Sequence, residues 1–185
     1  MTFYKGLAMF TMLMTLGAPI CGEFIADYNA HESKFIDERE VWEFVKAECK
    51  EANLHPGFVY ALIYAESGFD AHNHDVQYRG MMGLSKTAWK YVAQRGYHEA
   101  YDWKLNVRYG IDYLELLRDK LYEERTFSYP VMAACYYYGY KEMKSANFRI
   151  SYFESPENQL YRKLMSGSLQ PMRVPVGQVD RVTLN

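Results

Sequence analysis

Glu66 owes its chemical interest to its position. It closes an apolar run, Phe58 to Ala65, and is followed at once by Ser67-Gly68-Phe69-Asp70. Such a run reads as a buried helix, and a carboxylate is a poor residue with which to end one. The negative end of the helix dipole and the loss of water both penalise the charged form, so both raise the pKa. A carboxyl group kept protonated near neutral pH is what general acid attack on a glycosidic bond requires. The competing reading is an ordinary helix end, where exposed glutamates are common and Ser-Gly is a familiar stop signal. A second glycine-punctuated run, Gly80-Met81-Met82-Gly83-Leu84-Ser85, starts fourteen residues beyond Glu66.

Two further carboxylates, Asp70 and Asp75, stand nearby with His72 and His74 in Asp70-Ala71-His72-Asn73-His74-Asp75. These types can ligate a metal, but a loop without apolar periodicity seldom pre-forms such a site. The expectation is a solvated loop, with no metal and no cofactor. Either aspartate, brought beside Glu66, would supply the second carboxylate of a hydrolase.

The elements that must position these residues are helical. Asp37 with Glu40 three residues on can cap a helix whose apolar face is Val41, Trp42, Val45 and Cys49. Pro56 sits at the start of the next helix, which is apolar nearly all round and should be central. Ser85 or Thr87 caps a helix through Trp89, Tyr91 and Val92. Asp102 opens a longer one with Leu105, Tyr109, Ile111, Leu114, Leu117 and Leu121 on its buried side. Ser128 and Pro130 open another, Val131 to Tyr140, and Ser155-Pro156 starts a last helix through Leu160 and Leu164 to Gly167. The fold class is therefore all-α, with room for a short hairpin between Gly68 and Gly83.

The chain has 185 residues, enough for one domain with a real core, placed here at 37–167. Its net charge of −2, without a basic block, argues against nucleic acid as a partner. Residues 1–22 read as an export signal: Lys5 precedes an apolar run, Leu7 to Leu16, and small and helix-breaking residues, Gly17-Ala18-Pro19, follow. That places the protein outside the cytoplasm, in a periplasm or cell envelope. Ala18-Pro19-Ile20 is a poor context for lipidation of Cys21. Residues 23–36 form an extension and 168–185 an extended or disordered tail. If Cys21 leaves with the signal, Cys49 and Cys135 either bridge or pack as thiols on their helices; packing is the expectation.

Four blocks, in order, resemble the soluble lytic murein transglycosylase domain of the lysozyme-like superfamily. They are Ala61-Leu62-Ile63-Tyr64-Ala65-Glu66-Ser67-Gly68-Phe69, Gly80-Met81-Met82-Gly83-Leu84, Asn106 to Leu114, and Ala133-Ala134-Cys135-Tyr136-Tyr137-Tyr138-Gly139. The resemblance spans about 41–141 and implies a lysozyme-like fold in which Glu66 is the catalytic acid. It implies a sugar groove drawn from Ser67, Met82, Gly83, Leu84, Lys86, Tyr136, Tyr137 and Tyr138, with the Tyr136 hydroxyl able to bond the Glu66 carboxyl group. Lys86 stands where the family has glutamine and Tyr137 where it has asparagine, both in that groove. The implied substrate is the peptidoglycan glycan strand, cut between N-acetylmuramic acid and N-acetylglucosamine with formation of a 1,6-anhydro ring. Two alternatives stay open: a hydrolase of the same bond, and a binding module that has lost its chemistry. A monomer serving a secretion or conjugation apparatus is the implied setting.

Overall fold

Among the described residues most helices start on a side chain that satisfies their free N–H groups, and four of these six caps are among those the sequence suggests, with His55 and Asn158 the exceptions. The computed structural model describes residues 32–75 and 77–175. The expected export signal, most of the 23–36 extension and the end of the tail lie outside them. Helix α1 (Glu38–Ala52) is capped by Asp37, which accepts from the backbone N–H of Arg39 and Glu40. Helix α2 (Pro56–Ser67) carries proline in its first turn. Strands β1 (Tyr78–Arg79) and β2 (Leu84–Ser85) form an antiparallel hairpin, with Tyr78 opposite Ser85 and Arg79 opposite Leu84. Ser85 caps α3 (Lys86–Val92), and after a 3-10 turn (Tyr97–Tyr101) Asp102 caps α4 (Trp103–Glu123). Ser128 caps α5 (Tyr129–Tyr138); α6 (Tyr140–Ser145) and a second 3-10 turn (Ile150–Tyr152) precede α7 (Gln159–Met165).

The architecture is mainly helical with one small hairpin, as the periodicities predict. Helix α2 is the centre: Gly57 through Ile63 are all buried, and the helix packs on α1 and α7. Phe58, Leu62 and Ile63 are each 0% exposed, and complete burial of such a side chain is worth about 1.5–3 kcal/mol. Helix α4 packs on α1, α3 and α5, and α5 on α7. Ahead of α1, the Lys34 N–H donates to Asp70 and the Ile36 N–H to the Phe69 carbonyl, which ties the chain entering α1 to the chain leaving α2. In the tail, Met172 and Val174 pack against the core. Among the described residues no helix is long and apolar enough to cross a membrane.

Three local expectations change. Helix α5 ends at Tyr138, not Tyr140, because Gly139 takes φ 97, where the helix cannot continue. The last helix begins at Gln159, because Asn158 and not Ser155 accepts from the first N–H groups. On α4 the fully buried stripe contains Asn106 and Gly110, while Leu105 and Tyr109 are only half-buried. Cys49 and Cys135 are buried free thiols, each pushed up to about 12 by burial.

Candidate active site

Glu66 lies in the last turn of α2, half-buried, and its two carboxyl oxygens have different neighbours. Oε1 accepts a hydrogen bond from the Tyr161 hydroxyl on α7. Oε2 rests on the backbone of Gly83, where a Cβ would stand 2.5 Å from it. Gly83 also has φ +55, so glycine is required both for the left-handed backbone and for the space. Burial pushes the Glu66 carboxyl up to about 7, against the lowering effect of the Tyr161 hydrogen bond. Near neutral pH the group is therefore shared between acid and carboxylate. With Oε1 engaged by Tyr161, Oε2 is the oxygen left to carry the proton.

The backbone under Oε2 is held from α4 and α5. Asn106, 0% exposed, accepts from the Met82 N–H at 2.7 Å and donates to the Arg79 carbonyl at 3.1 Å. Gly110, one turn along α4, makes the notch for the Met82 side chain; a Cβ there would come 2.1 Å from its sulfur. From α5 the Tyr136 hydroxyl donates to the Met82 carbonyl at 2.6 Å. Met82 is thus fixed at N–H, carbonyl and side chain, and Gly83 follows it. The buried polar stripe on α4 exists to grip this turn.

The end of α2 is finished by two asparagines. Asn73 donates to the Glu66 carbonyl at 3.1 Å and Asn158 to the Ala65 carbonyl at 3.0 Å. Asn158 at the same time accepts from Leu160 and Tyr161 N–H as the cap of α7. One residue therefore starts α7, joins it to the end of α2, and sets Tyr161 three positions on against Glu66.

A cleft of about 270 Å³ opens beside Gly83, lined by Leu84, Ser85 and Tyr78 from the hairpin and by Tyr136, Tyr137, Tyr138 and Glu142. Tyr137 is 42% exposed, and its ring lies 4.7 Å from that of Tyr161. Tyr138 stacks on Phe153 at 4.6 Å, and its hydroxyl donates to the Glu154 carbonyl. Gly83, Leu84 and the three tyrosines are thus gathered on one cleft. Other expected groove residues sit elsewhere. The Ser67 hydroxyl donates to the Ile63 carbonyl and accepts from the Phe69 N–H, so it finishes the helix. The Met82 side chain is 0% exposed and offers nothing to a ligand. Lys86 is exposed and lines other cavities, with Thr87, Lys90 and Tyr91, and with Arg79, Tyr97 and His98. The Tyr136 hydroxyl serves Met82, while Tyr161 serves Glu66, which corrects the partner implied for the acid.

The loop carboxylates are occupied. One Asp70 oxygen accepts from both Lys34 and His72 N–H, and the exposed Asp75 accepts from Gln77 N–H. Among the described residues no carboxylate contributes to the raised value of Glu66, as one ionised about 5 Å away would. His72 Nδ1 pairs with the Glu32 carbonyl and His74 Nδ1 with the Tyr101 hydroxyl; among the described residues no three ligating side chains gather. Tyr161, Asn158 and Asn73 contact the candidate acid or its helix end and were not singled out by sequence reasoning, while Asn106 was read only as the first residue of a family block, with no role given. For Tyr161 a weak signal existed: with Leu164 it makes a buried i, i+3 pair on a short helix, as good a face as Leu160 with Leu164.

Neither a curated protein nor a solved structure matches the chain. The family model described as Transglycosylase SLT domain matches residues 43–157, more than half of the chain, and spans α2 with Glu66, the Gly80–Gly83 turn, α4 and α5. A helix ending in a protected acid, a glycine turn against it and an aromatic cleft beyond are arranged on a mainly helical, lysozyme-like frame, and this chain belongs to the transglycosylase SLT domain family, whose members act on peptidoglycan.

Proposed function

We propose that the protein is a lytic transglycosylase that cuts the β-1,4 bond between N-acetylmuramic acid and N-acetylglucosamine, with Glu66 as its only acid and base. The observation that carries this is the Glu66 carboxyl group: pushed up to about 7, tethered at Oε1, and with Oε2 left at Gly83 on the edge of the cleft. A conventional retaining site needs a second carboxylate about 5 Å from the acid, and an inverting site one at about 6.5–9.5 Å. Asp70 and Asp75 each accept from backbone N–H groups through one oxygen, and neither figures among the causes of the Glu66 shift. A single titrating group suits a reaction in which the substrate supplies the nucleophiles.

In the first step the proton on Oε2 passes to the glycosidic oxygen, the bond from that oxygen to muramyl C1 breaks, and N-acetylglucosamine leaves with a free 4-hydroxyl. The muramyl acetamido oxygen closes on C1 in place of a protein carboxylate. In the second step the Glu66 carboxylate takes the proton of the muramyl 6-hydroxyl, O6 attacks C1, and the acetamido group is released. Glu66 ends protonated, no water is consumed, and the product carries a 1,6-anhydro ring. A pKa matched to the working pH serves both halves, because the same group must give and then take a proton. Action on peptidoglycan puts the working protein outside the cytoplasm, in keeping with the apolar leader read from the sequence.

The test is mass spectrometry of the products released from purified peptidoglycan by the wild type and by Glu66→Gln. Anhydromuropeptides from the wild type alone are the expected result. Reducing-end products would make the protein a hydrolase, and the absence of products from a folded, glycan-binding wild type would make it a binding module.

A further inference from the structure

Across β2 from the catalytic cleft lies a second, larger cavity of about 600 Å³, and Ser85 lines both. Its wall carries Arg79, Lys86 and His98, three side chains able to bear positive charge, and no acidic residue. Arg79 is half-buried, with its guanidinium 4.7 Å from the ring centre of Tyr97 and 5.4 Å from that of Tyr101. Two rings hold it, and among the described residues no carboxylate pairs with it. Tyr97 is itself fixed, its hydroxyl donating to the Leu84 carbonyl at 2.7 Å. Lys86, exposed, has no ionic partner among the described residues either. The nearby Glu99, which would neutralise the site, is bound to Arg95 at 2.9 Å.

An arginine fork kept in place by aromatic faces and left without an anion is a carboxylate receptor, since the fork matches a carboxylate bidentately. Its volume lies in the range of ligand sites. Its position decides which carboxylate. A glycan seated in the cleft beside Gly83 would have Ser85 between it and this cavity, and the only anionic substituent of an intact muramyl residue is the peptide on its lactyl group, with its free carboxylates. We propose that the Arg79–Lys86–His98 cavity binds the carboxylates of the muramyl stem peptide and makes the protein select strands that still carry stems. This rests on peptidoglycan being the substrate of the cleft. It also gives Lys86 a role in substrate choice from outside the sugar groove.

The test uses the Glu66→Gln protein, so that binding is measured without cleavage. The probes are soluble glycan strands free of phosphodiester polymers, released by endopeptidase, with stems intact, or with stems removed by an amidase and the lactyl carboxyl group this frees capped as its methylamide. Stem-bearing strands should bind about tenfold more tightly, the scale of one charge-assisted hydrogen bond. Adding Lys86→Glu or Arg79→Gln should bring that ratio close to one, with unchanged melting temperature for the exposed Lys86 variant. Lys50→Glu, on the exposed side of α1, should leave the ratio intact and so excludes a general charge effect. Equal binding of both strands by the parent, or a tenfold preference that survives both substitutions, would overturn the proposal. Failure of the protein with Glu66 intact to cleave either strand would instead refute the transglycosylase reading, and leaves the binding ratio to be judged alone.

Discussion

Replacing Glu66 by glutamine keeps the shape of the side chain and removes its ionisation, so stability as a function of pH reports its titration directly. In the unfolded chain the carboxyl group ionises near 4.5, and in the fold near 7. Below pH 4.5 neither state carries the charge and Glu66 costs nothing. Between 4.5 and 7 the unfolded chain releases its proton while the fold retains it, so stability falls as pH rises. Above 7 both are ionised and the full cost is present. A rise from 4.5 to about 7, at about 1.4 kcal/mol per pH unit, sets that cost at about 3 kcal/mol, and partial exposure reduces it to about 2. Glutamine keeps an oxygen for the Tyr161 hydroxyl and a neutral amide beside Gly83. Melting curves for wild type and Glu66→Gln should therefore coincide near pH 4.5 and separate through pH 5–7. Above pH 7 the variant should melt roughly 4–8 °C higher, with no further divergence. Parallel curves across the whole range would show that Glu66 titrates as an ordinary surface glutamate, and would remove the physical basis for its role as the acid.

Other perturbations separate the parts of the site. Tyr161→Phe removes a hydrogen bond that lowers the Glu66 pKa, so the alkaline limb of the pH–rate profile should move to higher pH; a limb that stays in place would show that the bond does not tune the acid. Gly83→Ala places a Cβ 2.5 Å from Glu66 Oε2 at φ +55, so muropeptide release should fall by roughly a hundredfold while the melting temperature drops by only a few degrees, since the αL cost is about 1–2 kcal/mol. Asn106→Leu leaves the Met82 N–H and the Arg79 carbonyl buried without partners, and denaturant unfolding should show a loss of about 2–4 kcal/mol.

What the sequence revealed, and what it hid, divides by distance along the chain. Caps, an all-round apolar helix and a glycine turn are local chemistry, so Asp37, Asp102 and Ser128 and helix α2 could be read directly, the α3 cap was narrowed to Ser85 or Thr87, and room for a hairpin was visible near where it forms. The partners of Glu66 and Ala65 could not. Tyr161 and Asn158 stand 95 and 93 positions away from them, on a helix of seven residues whose periodicity is too short to fix its buried face. Asn106 opens one of the blocks that carry the family resemblance, but its part in holding the turn was hidden for another reason. Apolar periodicity assigns the core of α4 to Leu105 and Tyr109, whereas burial there goes to a polar residue because a backbone turn packed against it needs both a donor and an acceptor.

The raised pKa of Glu66 illustrates which of two sequence-level arguments prevails. The helix end and the loss of water both push the group upward, but they differ in size and in where they come from. The dipole at a helix C-terminus is worth about 0.3–1 kcal/mol, and it acts through free carbonyls. Here the last carbonyls are taken: Tyr64 by Gly68, Ala65 by Asn158, and Glu66 by Asn73. What remains is burial, and burial at this position is made by α7, which brings Tyr161, and by the turn that α4 grips, which brings Gly83. The sequence singles out Glu66 as the proposed acid because its placement at the end of α2 is local. Its raised pKa belongs to two packing contacts from distant segments, so substitutions at Asn106 or Asn158, neither of which lines the cleft, should weaken the proposed catalysis by loosening the walls around Glu66.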